Sequence, residues 1–293
     1  MKLVSLLQDD GQRHLGALHP TTGQILDLTR AFPDLALHGC DALVADAEGL
    51  LPRLRRAVES ASSELVVAPE DLRLDAPFRH PGKIMAIGLN YRDHAEEQNL
   101  PPPEHPLMFA KFASAIIGPG GPIEIPAASD RIDYEVELAV VIGRRGRAIP
   151  PEMARDHVLG YTIINDVTAR DLQRRDRQWV RAKSFDTFCP MGPCLVTADE
   201  LEFPPRRDIR LRVNGELRQS SNTDQLIFDI PTLISYLSEA FTLEPGDIIS
   251  TGTPSGVGVF RTPPVFLKEG DIVEAEIDGI GTLRSPVTGH GPR

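Results

Sequence analysis

Short apolar runs separated by turn residues fill most of the chain, and their lengths are typical of β-strands rather than helices. Two hairpins are indicated by Asn214-Gly215 and Asp278-Gly279, each of which directly follows such a run. The pattern therefore predicts many short strands joined by tight turns. The strands are predicted at residues 2–7, 24–28, 84–88, 107–112, 115–117, 135–142, 159–164, 209–213, 247–250 and 272–277.

Helical spacing of apolar residues is limited to three stretches. Residues 41–60 fit a helical stripe only loosely, and Pro52 is expected to break or start a helical segment there. The other helices are predicted at 168–180 and at 231–241, where Pro231 suits a first helical turn. Because strands outnumber helices and do not alternate regularly with them, we predict an α+β, β-rich fold rather than a doubly wound parallel one.

A change in pattern at residues 66–81 indicates a linker. Pro69, Pro77 and Pro81 coincide there with a loss of periodicity, and we place a domain boundary near residue 76. The chain of 293 residues is thus predicted to have a small amino-terminal domain, 1–76, and a larger β-rich domain, 77–293.

Composition narrows the classes of partner. The chain has 31 Lys and Arg against 42 Asp and Glu, a net charge of −11, which argues against nucleic acid or an anionic membrane as partner. No apolar run reaches the ~18 residues of a membrane helix, and the apolar start is too short for an export signal. The three cysteines form no Cys-x-x-Cys and cannot all pair, which favours a reducing compartment. We therefore expect a cytoplasmic protein.

The sharpest chemical signal is the pair Glu135 and Glu137 on a predicted strand. Because strand side chains alternate, these carboxylates share one face, about 6.6 Å apart along the strand. Two like charges side by side favour a cation between them, and carboxylate oxygens favour Mg²⁺, Mn²⁺ or Ca²⁺ over zinc. Asp166, after another predicted strand, is a candidate third ligand. The residues alone also allow a solvated strand edge for the glutamates and a helix N-cap for Asp166.

Two further segments carry candidate catalytic groups. His94 and Glu97 lie three residues apart, so on a helical turn the carboxylate could orient the imidazole as a general base. Lys183, in a polar and aromatic segment, could bind a carboxylate or an oxyanion. An exposed surface helix and a solvated lysine are the plainer interpretations of these residues.

Two other features allow both a functional and a structural interpretation. The glycine-rich loop 251–258 could bind an anion through backbone amides or be a tight turn, and it lacks the spacing of nucleotide-binding loops. Cys189 could be a nucleophile, although the role of a small buried hydrophobic residue is more typical.

Six segments, taken in order, resemble the motifs of the fumarylacetoacetate hydrolase family. They extend from about residue 80 to residue 290 and so cover most of the chain. Since all six occur in the family's order, the resemblance is far more specific than any one motif. The segments are GLNYRDHAEE at 88–97, LMFAK at 107–111, DYEVE at 133–137, NDVTARDLQ at 165–173, KSFDT at 183–187 and TGTPSGVG at 251–258.

The resemblance implies a mixed β-sandwich roll of the fumarylacetoacetate hydrolase type with a small amino-terminal α/β domain. It also implies one bound Mg²⁺ (or Mn²⁺ or Ca²⁺), a small 2-oxo acid substrate and a homodimer. The implied roles are metal ligation by Glu135, Glu137 and Asp166, catalysis by His94, Glu97 and Lys183, and contact with the substrate by Gln173 and Thr253.

The distal end of the substrate is less well defined by the resemblance. Arg92 lies on the same segment as His94 and could reach a distal carboxylate. Residue 89 is leucine, where some acylpyruvate-cleaving relatives have arginine, so their distal contact does not carry over to this chain.

These implications lead us to expect a metal-dependent hydrolase that cleaves a C–C bond of acylpyruvates (2,4-diketo acids) to pyruvate and a carboxylic acid. The metal would act as a Lewis acid on the pyruvoyl end, and water activated by His94 and Glu97 would attack the distal carbonyl. Decarboxylation of oxaloacetate-like acids and isomerisation of 2-hydroxydienoates are alternatives on the same metal site. A binding protein without turnover is disfavoured by the intact pair and by Lys183.

Overall fold

A long mixed β-sheet forms the centre of the fold, as the excess of short strands predicts. We describe the architecture from a computed structural model, and the description covers residues 1–61, 63–68 and 72–289. The strands are β1 (Lys2–Leu7), β2 (Arg13–Leu18), β3 (Ile25–Asp27), β4 (Leu74–Asp75), β5 (Ile84–Gly88), β6 (Leu107–Lys111), β7 (Ile116–Ile117), β8 (Ile123–Glu124), β9 (Ile132–Asp133), β10 (Val136–Ile142), β11 (Val158–Asn165), β12 (Thr168–Ala169), β13 (Cys189–Thr197), β14 (Asp208–Val213), β15 (Glu216–Asn222), β16 (Ile248–Ser250), β17 (Ile272–Ile277) and β18 (Gly281–Thr288). The helices are α1 (Leu28–Ala31), α2 (Leu43–Glu59), α3 (Arg92–Glu97), α4 (Arg170–Asp176), α5 (Val180–Lys183) and α6 (Ile230–Ala240).

The main sheet runs in the order β3-β2-β1-β13-β11-β10-β16-β5-β6. Along this path only β16 and β5 are parallel. Every residue of β10 and β11 is buried, which is typical of strands covered on both faces. A second sheet, β15-β14-β17-β18-β8, lies against β10 and β11 and buries alternate residues of β14 and β17. The α+β, β-rich fold class is thereby confirmed.

Both predicted hairpins are confirmed. Asn214 and Gly215 join β14 to β15 with φ angles of 53° and 79°, the left-handed conformation that such a turn requires. Asp278 and Gly279 join β17 to β18. The two-residue strands β4, β8, β9 and β12 are absent from the sequence-based predictions, and so are the longer strands β2 and β13. In β13 the reason is its internal Gly192 and two prolines, which usually end a strand rather than continue it.

Two helix predictions are wrong in detail. The single helix predicted at 168–180 is instead β12, α4 and α5, because Arg177, with φ of 62°, ends α4. Pro52 neither breaks nor starts a helix, since it lies inside α2. The break lies at Asp46, whose carboxylate accepts a hydrogen bond from the Gly49 N–H at 2.8 Å and so caps the helix that follows.

Hydrogen bonds of the main sheet cross the predicted boundary at residue 76. Strand β1 lies between β2 and β13, and its register pairs Leu3 with Leu195. The division into 1–76 and 77–293 stays a prediction, and residues 69–71 of the predicted linker lie outside the described residues. None of the helices in the described part of the chain combines the length and apolarity needed to cross a membrane.

Candidate metal and catalytic site

Three buried carboxylates meet where β10 begins and β11 ends. Glu135 directly precedes β10, Glu137 lies on it, and Asp166 directly follows β11. The antiparallel register pairs Val136 with Asn165 and so places Asp166 beside Glu135. The ligand oxygens of the three carboxylates lie within 4.8 Å of one another. We call Glu135, Glu137 and Asp166 the acidic triad.

The acidic triad is shielded from solvent. The exposed fractions of Glu135, Glu137 and Asp166 are 4%, 2% and 0%, which excludes a solvated strand edge. Asp166 caps no helix either, because α4 has Ala169 as its N-cap. Buried carboxylates need cationic partners, so the charges that surround the triad decide what it can bind.

Lys183 is buried at the acidic triad rather than solvated. Its Nζ donates to Glu135 at 2.7 Å, to Asp166 at 2.5 Å and to the Thr168 hydroxyl at 2.8 Å. Burial alone would lower the pKa of Lys183, but the charges of Asp166 and Glu135 outweigh it and raise that pKa. Lys183 is therefore a fixed cation beside two of the carboxylates.

Sequence reasoning assigns no role to two further cations at this site. Lys111 is buried, and its Nζ donates to Asp166 at 2.6 Å. Arg170 donates to Asp133 at 2.8 Å and to Glu135. Both cations occur inside motifs of the family resemblance, so the motifs carry the signal for them. Their carboxylate partners are distant in sequence and become evident only in the fold.

The surrounding charges shift the pKa values of Glu135 and Glu137 in opposite directions. Burial alone would raise the pKa of Glu135, but the charges of Arg170 and Lys183 outweigh it and hold that pKa well below its usual range. Burial raises the pKa of Glu137 to about 8, and the negative charges of Asp166 and Glu135 act in the same direction. Among the described residues Glu137 is in no ion pair, and its carboxylate accepts hydrogen bonds from the Ser250 hydroxyl and the Gly252 N–H instead. Three carboxylates are the donor set that suits Mg²⁺ or Mn²⁺, so these residues fit a divalent cation.

His94 forms a defined pair with Glu97 at the end of α3. Its Nδ1 lies 2.9 Å from the Glu97 carboxylate, and its Nε2 lies 2.9 Å from the amide nitrogen of Gln98. An amide nitrogen can only donate, so Nε2 accepts and the ring proton lies on Nδ1, toward Glu97. The Gly256 N–H donates to the other Glu97 oxygen at 2.8 Å. His94 is therefore buried, oriented and able to accept a proton at Nε2.

The glycine-rich loop 251–258 binds carboxylates of the protein itself. The Gly252 N–H donates to Glu137 at 3.0 Å, and the Gly258 N–H donates to Asp133 at 2.7 Å. A Cβ on Gly258 would lie 1.9 Å from the Val265 carbonyl oxygen, so only glycine fits there. The loop positions the acidic strand, and these amides are not available to an external anion.

A cavity of about 360 Å³ joins the acidic triad to the surface. Its walls are mostly apolar with a few polar and charged groups, as is usual for small-molecule sites. The cavity is lined by Ile87, Gly88, Leu89, His94, Gln98, Leu100, Leu107, Phe109, Glu135, Glu137, Asp166, Arg170, Gln173, Arg174, Trp179, Lys183, Thr253, Val259 and Phe260.

Of the remaining sequence-predicted residues, two line this cavity and two do not. Gln173 and Thr253 line it, although the Thr253 hydroxyl already donates to the Val136 carbonyl at 3.0 Å. Glu97 is reached only through His94. Arg92 is not brought to the cavity: it is exposed and donates to the Asp224 carbonyl at 3.2 Å. The substrate-contacting role of Arg92 stays a prediction.

Cys189 is buried at the start of β13. Burial raises the pKa of its thiol to about 12, so the thiolate form of a nucleophile is disfavoured. This agrees with its interpretation as a small buried hydrophobic residue.

The chain is similar to known proteins over most of its length, and not only at the acidic triad. Residues 83–288 match the family model described as fumarylacetoacetate (FAA) hydrolase, C-terminal. The chain is 46% identical over 290 residues to the mitochondrial oxaloacetate tautomerase of Xenopus laevis, covering 98% of this chain and 90% of that protein.

Two solved structures are similar over nearly the full length. A fumarylacetoacetate hydrolase from Exiguobacterium antarcticum has a TM-score of 0.84 and 38% identity and covers 99% of this chain and 100% of its own. A maleylpyruvate hydrolase from Sphingobium sp. SYK-6, in complex with manganese(II) and pyruvate, has a TM-score of 0.80 and 32% identity with the same coverage. The similarity therefore includes the amino-terminal segment.

Proposed function

The chain belongs to the fumarylacetoacetate hydrolase family, and from this premise we propose that it interconverts the enol and keto forms of oxaloacetate-like 2-oxo acids with a divalent cation. The observation that carries the proposal is its similarity, over almost the whole length, to an oxaloacetate tautomerase. The cavity supports it, because a set of carboxylates suited to a metal and a proton-accepting histidine face the same space.

Tautomerisation from enol to keto moves one proton: the O–H bond at C2 breaks, a C–H bond forms at C3, and no water is consumed. His94 is our candidate for this transfer, because its Nε2 accepts a hydrogen bond from Gln98 that a substrate can replace. Glu97, on the opposite ring nitrogen, stabilises the imidazolium form. A positioned acid or base of this kind contributes ~10²–10⁴-fold to the rate.

The acidic triad would hold the cation, which when bound supplies a Lewis acid toward the oxygens of a 2-oxo acid. Lys183 holds the orientation of Glu135 and Asp166. In this proposal its ammonium group also stabilises the negative charge that develops on the substrate. Mg²⁺ or Mn²⁺ is the ion that we propose, with Ca²⁺ as a further possibility for the same oxygen ligands.

A second candidate function is the hydrolysis of acylpyruvates, which is the activity expected from the sequence. The pair of His94 and Glu97 favours it, since a carboxylate-oriented imidazole also activates water. The similar maleylpyruvate hydrolase structure, which contains manganese and pyruvate, adds support. We rank it second because the identity to that protein is lower than to the tautomerase. Decarboxylation and dienoate isomerisation would use the same metal site.

The test compares two reactions of the Mn²⁺-loaded protein. Decay of enol-oxaloacetate absorbance measures tautomerisation, and pyruvate release from acetylpyruvate measures hydrolysis. We expect accelerated enol decay that is lost in Glu135→Ala and reduced by ~10²–10⁴-fold in His94→Gln. Glu96→Gln, an exposed neighbour on α3, is the matched control and should resemble the wild type.

The possible results of this comparison distinguish the candidate activities. Release of pyruvate from acetylpyruvate without accelerated enol decay would replace the tautomerase with the hydrolase. Loss of oxaloacetate that persists in His94→Gln and yields pyruvate would indicate decarboxylation. No turnover in either reaction would contradict both candidate functions.

Assembly and location are proposals as well. We propose a homodimer, since apolar side chains are exposed at the edge strand β6, with Leu107 at 47% and Met108 at 38%. We also propose a cytoplasmic location, because the three cysteines are free thiols, which suits a reducing compartment. Light scattering should give twice the chain mass of 32.1 kDa. A monomer mass would contradict the dimer.

A further inference from the structure

Helix α4 lines the cavity with one of its faces. Arg170, Gln173 and Arg174 are three and four residues apart, so they lie on the same side of the helix, and all three line the cavity. Arg170 is at the inner end, where it pairs with Glu135. Arg174 is exposed and therefore lies at the outer end. The helix thus leads from the acidic triad to the mouth of the cavity.

The cations that line the cavity differ in what they bind. Lys183 is paired with two members of the acidic triad, and Arg170 is paired with Asp133 and Glu135. Within the residues that the structure describes, the Arg174 guanidinium has neither a hydrogen-bond nor an ion-pair partner. Its donors are thus available to a ligand in the cavity.

We propose that Arg174 binds the carboxylate of the substrate that is remote from the 2-oxo acid end, and so selects dicarboxylates. This inference rests on the proposed function, which places the 2-oxo acid end at the acidic triad. Four residues of helix advance about 6 Å, which is the length scale of a four-carbon diacid. A guanidinium matches a carboxylate in both charge and geometry.

The charge of the rest of the molecule favours such a cation at the distal end of a diacid. The chain has a net charge of −11, and Lys183 and Arg170 are already paired with carboxylates of the protein, so a second substrate carboxylate needs a cation of its own. The apolar residues Leu89 and Leu107, on the cavity wall, offer no hydrogen bond to a second carboxylate. Arg92, which sequence reasoning places at the distal end, does not line the cavity, whereas Arg174 does.

The test measures preference for the distal charge with two readouts. Turnover is compared between oxaloacetate and its 4-methyl ester, and binding to the Mn²⁺-loaded protein is compared by calorimetry between 2-oxoglutarate and its 5-methyl ester. In Arg174→Gln we expect KM for oxaloacetate and Kd for 2-oxoglutarate to rise about 10- to 100-fold, with little change for the esters. Arg174→Lys should keep part of the preference. Arg175→Gln, on the same helix but paired with Asp176, is the control.

The two readouts separate this inference from the proposed reaction. If no variant or wild-type protein turns over oxaloacetate, yet the wild type binds the diacid in preference to the ester and Arg174→Gln does not, the reaction is wrong and the role of Arg174 stands. An unchanged diacid preference in Arg174→Gln would overturn the inference. An equal loss in Arg175→Gln would also overturn it, because a general charge effect would then suffice.

Discussion

Glu137 is a buried carboxyl group whose ionisation the fold opposes. Burial raises its pKa to about 8, and the charges of Asp166 and Glu135 add to the shift. Since a carboxyl group must lose its proton to bind a metal, Mn²⁺ should bind more tightly as pH rises, by up to about tenfold per pH unit below pH 8. Calorimetry in two buffers of different ionisation enthalpy should detect release of about one proton per Mn²⁺ at pH 7. A Kd that is constant between pH 6 and 8 would contradict this prediction.

The raised pKa of Glu137 also predicts that the metal-free protein becomes less stable as pH rises. The folded-state pKa of Glu137 lies above the ordinary value of 4.5, so its contribution to the metal-free fold is complete below pH 4.5 and is lost as pH rises toward 8. Metal-free Glu137→Gln should therefore lose less thermal stability over this range than metal-free wild type. Glu124→Gln, an exposed glutamate, controls for the general effect of removing a charge.

For single residues, the sequence predicts the metal-ligating carboxylates better than the cations that surround them. The spacing of Glu135 and Glu137 is a local property of a strand, and the structure places both in one cluster with Asp166. The cations Arg170 and Lys111 acquire their meaning only from tertiary pairing with those carboxylates. The availability of Arg174 likewise depends on which partners the fold leaves near it, which no spacing encodes.

The short helix α3 is held in place by hydrogen bonds to its acidic side chains. Asp93 accepts hydrogen bonds from the Ser221 hydroxyl at 2.6 Å and from the Ser255 N–H at 3.4 Å. Asp93→Ala should release the helix and speed hydrogen exchange of its amides about 10- to 100-fold, since each lost buried bond costs about 1–3 kcal/mol. We also expect lower kcat, because His94 moves with the helix, and unchanged Mn²⁺ affinity, because the acidic triad lies on the central sheet.

Two comparisons make this result specific to α3. Asp130→Ala changes an exposed aspartate elsewhere and should leave exchange of α3 at the wild-type rate. Equal protection of α3 in Asp93→Ala and wild type would show that the helix is held by other contacts. A parallel loss of Mn²⁺ affinity would show that α3 and the acidic triad are not independent.

Elements with a clear period are predictable from this sequence, and interrupted ones are not. Strand β10 and the β14–β15 hairpin follow from their apolar runs and from the turn after Val213. Strand β13 escapes prediction because Pro190 and Gly192 resemble a loop, yet β13 lies between β1 and β11 in the main sheet. The three-way division at 168–180 is also hidden, since a positive φ at a non-glycine residue such as Arg177 leaves no mark in the hydrophobic pattern.

For the molecule as a whole, the sheet hydrogen bonds that cross residue 76 make the two predicted domains depend on each other. Strand β1 pairs with β13, and the amino group of Met1 forms an ion pair with Glu200 at 2.7 Å. The Arg55 side chain on α2 pairs with Asp199 at 2.5 Å. These contacts join the amino-terminal segment to β13 and to the residues that follow it. Strand β13 in turn pairs with β11, the strand that Asp166 follows.

We therefore expect one cooperative thermal transition for the full chain. Removal of residues 1–76 would expose the edge of β13 and the apolar core residues of 77–293 that share a cluster with β1, so residues 77–293 alone should aggregate and bind a hydrophobic dye. The acidic triad would lose its Mn²⁺ affinity with the fold, because β11 pairs directly with β13. Calorimetry, dye binding and Mn²⁺ titration should be carried out on the full chain and on residues 77–293 alone. Two separate transitions in the full chain, or tight Mn²⁺ binding by 77–293, would show instead that the boundary near residue 76 divides two independent folding units.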